Sequence, residues 1–229
     1  MTPRVHHEWH NRVKAEYGSA VVTARMLQYL ILIGASDELI NTCMQIVRDE
    51  LDHARLSHDC LVAFGGGHLT IALNAQSLPQ PPPTHNILPQ MLDDLIQSFL
   101  LGESFAVPLF HGMYQNATQP EAKEMLTRVL QDEATHRAFG WTVLDALLER
   151  PDLEVRSYIS NQLPDFLAQF KLAYASDQML YPLTETEKGC GLMDGSDYRR
   201  IWRQAYAKDI SKRFKDRQID CPTLDDLDP

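Results

Sequence analysis

Residues 47–56, VRDELDHARL, return at residues 130–139 as LQDEATHRAF, so Asp49, Glu50 and His53 are matched by Asp132, Glu133 and His136 at an offset of 83. Both copies lie in stretches with helical periodicity. Counting around the first, Ile46, Val47, Ala54, Leu61 and Phe64 share a side with Glu50 and His53, while Arg48, Asp52, Arg55 and Asp59 take the other. A carboxylate and an imidazole are thus aimed at the helix's own core, where an uncompensated charge is costly. Whatever this chain folds into has to compensate two such pairs.

Each copy has a companion upstream. Glu16 interrupts an apolar stripe of Val13, Ala20 and Leu27, and Glu103 interrupts one of Phe99, Ala106 and Phe110. Glu16 precedes Glu50 by 34 residues, and Glu103 precedes Glu133 by 30. Periodicity predicts helices over residues 3–33, 36–64, 87–116 and 119–149, with no sustained strand-like alternation. Gly34 to Ser36 separates the first two, and NATQPEA puts a Thr cap and an early Pro ahead of the fourth. Joints this short make each flanking pair an antiparallel hairpin, and in such hairpins the two spacings bring all four glutamates near mid-height.

The connection between the hairpins is of another kind. Residues 65–89 are Gly-rich, then Pro-rich, and long enough to run back along a helix of about 45 Å. The expectation is an all-α chain: a four-helix bundle of two helical hairpins with a long crossover, plus C-terminal helices. Those helices are expected at about 152–176, bent or broken by Pro164, and about 195–217, ahead of the acidic tail DCPTLDDLDP. The whole of 1–229 reads as a single domain, 1–150 as the bundle and 151–229 as a helical extension and tail.

Metal coordination explains the constellation. Residues three apart on a helix lie about 5–6 Å apart at Cβ, so each Glu-x-x-His can offer an oxygen and a nitrogen to one region. Four carboxylates alone in a core would repel one another and take up protons, whereas two divalent cations balance their charge. Mixed carboxylate and imidazole donors suit iron or manganese. The four cysteines form no CxxC pair, which disfavours a zinc or iron–sulfur site.

One Glu plus one Glu-x-x-His in each hairpin resembles the ferritin-like superfamily of di-iron carboxylate proteins, over residues 3 to about 149. The resemblance implies Glu16, Glu50, His53, Glu103, Glu133 and His136 as ligands of two iron ions, with manganese as an alternative and dioxygen as co-substrate. It also implies that Asp49 orients His136 and Asp132 orients His53. LIQSF before Glu103, and DEATHRAFG, are similar to aldehyde-deformylating oxygenases of the same superfamily, though the aldehyde substrate does not carry over. Val129, one turn before Glu133, stands where the arylamine N-oxygenase branch has a third histidine.

Within that superfamily the expected activity is a non-haem di-iron oxidase or oxygenase acting on a small organic substrate. The aromatic-bearing extension (Tyr158, Phe166, Phe170, Tyr174, Trp202, Tyr206) could wall off a cavity, and small residues flank the ligands at Gly18, Ser19, Ala20, Gly102, Ser104 and Ala106. The alternatives are a ferroxidase or peroxidase of the ferritin or rubrerythrin type, and an interaction protein keeping the site as a relic. No flavin or nicotinamide fingerprint is present, so electrons are expected from an external donor. A net charge of −10 argues against nucleic acid. Residues 195–217 nevertheless carry eight Lys or Arg against three Asp, either a solvated face pairing with acidic neighbours or a dock for an acidic partner such as a carrier protein. LQYLILIGA, the longest apolar run, is too short to span a bilayer and too internal for a signal peptide, so the expected location is cytoplasmic and the expected state a monomer or small homo-oligomer. His6, His7 and His10 read as a surface cluster, His111 as a candidate pocket residue, and Tyr17 as a neighbour of Glu16.

Overall fold

A computed structural model describes residues 1–68, 86–175, 182–223 and 226, and among them every regular element is helical. Most of the expected crossover and much of the acidic tail lie outside the described residues. The elements are α1 (Pro3–Leu32), α2 (Asp37–Ala63), α3 (Leu88–Asp94), a π-helical stretch Leu95–Glu103, α4 (Ser104–Asn116), α5 (Pro120–Leu148), α6 (Val155–Ala175), α7 (Glu185–Gly189), α8 (Gly195–Ala205), a second π stretch Tyr206–Ile210, and α9 (Ser211–Asp216). They group into two compact units, neither of them a continuous run of chain. No helix among the described residues is long and apolar enough to cross a membrane.

The first unit comprises Met1–Ile87, Phe110–Asp132 and Leu183–Leu192. Its foundation is the α1–α2 hairpin. Thr2 caps α1 by accepting from the Val5 N–H, with Pro3 in the first turn, and Ser36 caps α2 by accepting from Leu39, with Asp37 and Glu38 against the positive end of the helix dipole. Gly34 takes the left-handed turn conformation, φ 67°, that joins them. The cross-helix partners run in opposite senses: His6 Nε2 lies 2.7 Å from the Phe64 carbonyl, and the Cys43 thiol donates to the Thr23 carbonyl at 3.4 Å. Val5, Trp9, Val13, Met26 and Leu30 of α1 are buried, as are Cys43, Ile46 and Leu61 of α2 and Phe64 at its end, and the Trp9 and Phe64 rings meet at 5.8 Å. The short α7, which periodicity does not reveal, is opened by a reciprocal cap between Thr184 and Glu187. Its end is tied down by Trp9 Nε1 donating to the Cys190 carbonyl at 3.0 Å and by the Thr118 and Gln119 N–H groups on the Gly189 carbonyl.

The second unit comprises Leu88–Leu109, Glu133–Pro182 and Met193–Pro229. Here the expected single helix over 87–116 is α, then π, then α. The wider π turn changes which positions reach the core: Phe105 and Leu109 are buried, whereas Ala106 and Phe110 are only half-buried. Pro108 sits one turn past the end of the π stretch and cannot donate to the Ser104 carbonyl. Pro164, by contrast, does not break α6. Trp141 donates to Ser104 at 3.0 Å and packs edge-on against Phe214. The basic stretch over 195–217 is α8, π and α9 in succession, and at least three of its eight basic side chains meet acids: Arg200 meets Asp197, Arg213 meets Asp209, and Arg217 makes a two-pronged contact to Asp145 at 2.6 and 2.8 Å.

Candidate metal centre

In the first unit, α1 supplies Glu16 and α2 supplies Glu50 and His53. All three are buried, at 7, 2 and 0 % exposure. Their coordinating atoms lie within 4.8 Å of one another. Two causes bring them together. The three-residue spacing stacks His53 over Glu50, and the antiparallel register sets Glu16 opposite both, between the His6–Phe64 and Thr23–Cys43 contacts. His53 Nε2 stands 3.0 Å from an Asp132 oxygen, while Nδ1 faces Glu50 Oε2 at 3.9 Å. A carboxylate only accepts, so Asp132 fixes the proton on Nε2 and leaves the Nδ1 lone pair turned toward the glutamates.

Asp132 is itself held. Arg128, one turn earlier on α5, donates to it, and the same guanidinium reaches Asp49 at 3.8 Å and Asp52 at 3.9 Å. Burial pushes the Asp132 carboxyl up, but hydrogen bonds from Arg128 and His53 outweigh it and leave the group below the usual aspartate range. Asp49 also accepts from Gln45 at 2.8 Å.

In the second unit Glu103, Glu133 and His136 are buried at 7, 2 and 0 % exposure. Glu103 is the last residue of the π stretch, and it and His136 offer coordinating atoms within 4.8 Å of each other. Glu133 belongs to neither close-set group. Gly140 lets α5 approach this stretch closely: a Cβ there would lie 2.7 Å from Phe99 Cβ and 3.1 Å from the Phe99 carbonyl carbon. Phe105, two residues after Glu103, packs against Phe170 and Tyr174 of α6 at ring separations of 5.5 and 5.1 Å.

These donors fit a cation. They are hard oxygens and borderline nitrogens, the set that iron or manganese takes. Bonds of about 2.0–2.2 Å place neighbouring ligands about 3–4 Å apart, the scale on which Glu16, Glu50 and His53 are gathered. The buried thiols stand apart from this chemistry: Cys43 donates to Thr23 and Cys60 to the Glu121 carbonyl, and burial raises both to about 12.

Some of the expected residues do other work. His111 is exposed, His7 bonds Asn11, and Tyr17 is half-buried. Sequence reasoning missed Arg128, Gln45, Gly140 and the π stretch. Arg128 has a visible signal, since it stands one helical turn before Asp132. No protein-family model, curated protein or solved structure matches this chain.

Proposed function

We propose that this chain is a non-haem di-iron oxidase or oxygenase, built as a ferritin-like bundle of two hairpins, that couples dioxygen reduction to oxidation of a small organic substrate. The observation that carries the reading is the buried Glu16–Glu50–His53 cluster with Asp132 on the far nitrogen of His53. The matching sequence around Glu133 and His136, with Glu103 upstream, supplies the second set of ligands. Bound iron supplies one-electron and dioxygen chemistry that no side chain of the chain provides. Manganese is the alternative occupant, and electrons come from an external donor.

The protein's own residues have distinct tasks. Glu16, Glu50, His53, Glu103, Glu133 and His136 hold the ions, and Asp132 keeps the proton of His53 on Nε2 so that Nδ1 faces the metal. Arg128 holds Asp132 in place and offsets part of the acidic charge of Asp49 and Asp52. The rings of Phe105, Phe170 and Tyr174 keep water from the turn that carries Glu103.

The test is anaerobic loading with Fe(II), elemental analysis, and oxygen uptake with a reductant and candidate substrates. Two ions per chain and substrate-dependent oxygen uptake are expected. One ion or none would refute the di-metal reading. Ferric mineral accumulating in a large shell, without organic product, would assign iron storage instead.

A further inference from the structure

One turn below the ligand cluster of the first unit, two buried polar groups have donors that no neighbour among the described residues takes. Arg12 is 7 % exposed and lies four residues before Glu16 on the inner side of α1. Its Nε reaches Glu8 at 3.4 Å, and its Nη2 donates to the Gly191 carbonyl at 2.7 Å and contacts the Met113 sulfur at 3.0 Å. Trp9 backs the guanidinium, 4.6 Å from its ring centre. Among the described residues Nη1 has no hydrogen-bond partner. Arginine carries five donors in a fixed plane, so the unanswered edge has a defined direction.

Ser57 is fully buried, four residues after His53 on the inner side of α2, and its hydroxyl also has no partner among the described residues. That is not the habit of helical hydroxyls, which fall back onto the carbonyl four residues earlier. Four other helical hydroxyls in this chain do so, Thr42 on Glu38, Thr127 on Lys123, Thr142 on Ala138 and Ser211 on Ala207, whereas Thr23, two turns along α1 from Glu16, shares the condition of Ser57 but meets Cys43, not an arginine, across the hairpin. The hairpin register brings Arg12 and Ser57 to one level. Arg12 lies between His6, which meets Phe64, and Glu16, which meets Glu50 and His53, and Ser57 lies between those same partners on α2. Four residues of helix rise about 6 Å, so this level is about 6 Å from the ligand cluster along the hairpin.

We propose that Arg12 and Ser57 form a carboxylate-binding site, with one oxygen of a small monocarboxylate on Nη1 and the other on the Ser57 hydroxyl. Charge agrees. Among the described residues the acid that Arg12 meets is the Glu8 carboxylate, 33 % exposed, and it stands on the Nε side, away from the open edge. It also sets the guanidinium one side chain from solvent. The site deepens the proposed function by naming its substrate class, a short carboxylic acid whose oxidisable carbon lies a few bonds from the carboxylate; only that last step rests on the metal reading.

The full-length chain, without added metal, is titrated with acetate and with neutral acetamide while the indole N–H of Trp9 is followed by two-dimensional 1H–15N NMR. A saturable shift with acetate, and at least tenfold weaker binding of acetamide, are expected, because hydrogen bonds to a charged group are the stronger kind. Ser57→Ala should weaken acetate about tenfold, and Arg12→Gln should abolish saturation; should Arg12→Gln fail to fold, Ser57→Ala still decides. Glu50→Ala should leave acetate binding in place. No saturable shift, equal binding of acetamide, or wild-type affinity in Ser57→Ala would overturn the proposal. So would loss of binding in Glu50→Ala, which would put acetate on a metal. Absence of metal binding with acetate binding intact would sink the di-metal reading and spare the site.

Discussion

Gly140→Ala and Gly18→Ala make the same chemical change in two helix interiors, and only the second should stabilise the protein. Alanine gains about 1 kcal/mol over glycine in a helix interior, so a site with room for the methyl is stabilised by about that amount. Gly18 is such a site, since a Cβ there meets nothing within 4 Å. At Gly140 the new Cβ would lie 2.7 Å from Phe99 Cβ and 3.2 Å from the Phe99 carbonyl oxygen, so α5 or the π stretch has to move. Overpacking of this kind costs about 1–3 kcal/mol, which cancels or exceeds the propensity gain. The two variants should therefore differ by about 1–3 kcal/mol, and at about 2–4 °C per kcal/mol for a chain of this size the gap in Tm is about 2–12 °C. The displacement falls one turn from both Glu103 and His136, so Gly140→Ala should also weaken binding of manganese to the metal-free protein. Thermal unfolding by circular dichroism and a manganese titration measure both effects. If Gly140→Ala raises Tm as much as Gly18→Ala does, the close approach to Phe99 does not constrain this helix and the reasoning fails.

Asp132→Asn should lower manganese affinity about 10–100-fold in a titration followed by electron paramagnetic resonance, because an amide can turn a donor toward His53 and reverse its tautomer; unchanged affinity would show that the contact does not orient the ring. Glu187 is held below the usual glutamate range first by the Thr184 backbone N–H and then by Thr2, Thr184 and Arg4, with burial opposing. A carboxyl lowered on folding stabilises fully above its unfolded pKa and loses that contribution as pH falls through the folded value, so Glu187→Gln should cost about 1 kcal/mol or more at pH 7 in urea unfolding, with the gap to wild type closing below about pH 4. A gap that persists at low pH would assign the loss to packing rather than charge. Arg217→Met should cost no more than about 1 kcal/mol despite its two-pronged contact with the half-exposed Asp145; a loss above about 2 kcal/mol would mean that the stacking of Arg217 on Trp141 matters more than the ion pair.

How far the sequence could be read differs from residue to residue, for physical reasons. Helix ends were legible where the chain carries its own stop and start groups, as at Thr2–Pro3 and Ser36–Asp37. Glu50 and His53 were legible because a polar residue on an apolar stripe contradicts the rule that fills the rest of the stripe. The π stretch was not, because the α and π patterns of LIQSFLLGE differ by one residue per turn and only packing decides between them. Gly140 looks like an ordinary helix defect until Phe99 is seen against it. The α7 turn is too short for periodicity, though the Thr184-x-x-Glu187 spacing announces its cap.

Substrate oxidation and iron storage make opposite demands on the ground beside the ligands, and the α6 aromatics allow the two to be told apart. Deleting everything after Arg150 is the crude test and a poor one: α6, α8 and α9 belong to the second unit, so removal would strip Phe214 from Trp141 and Phe170 from Phe105 along with any substrate site. Phe170→Ala is finer. Phe170 is half-buried and touches Phe105 and Tyr174, with the Phe170–Tyr174 rings 4.6 Å apart, so truncation opens a gap beside Phe105 without stripping the unit. If the gap beside Phe105 lets water reach the ligands, oxygen would be consumed without product, since a closed apolar wall is what protects a reactive site from side reactions. The expected result is unchanged metal content, oxygen uptake within a few-fold of wild type, and a clear fall in product formed per oxygen consumed. An unchanged ratio would mean that Phe105, Phe170 and Tyr174 are packing alone and that no wall against water stands on this side.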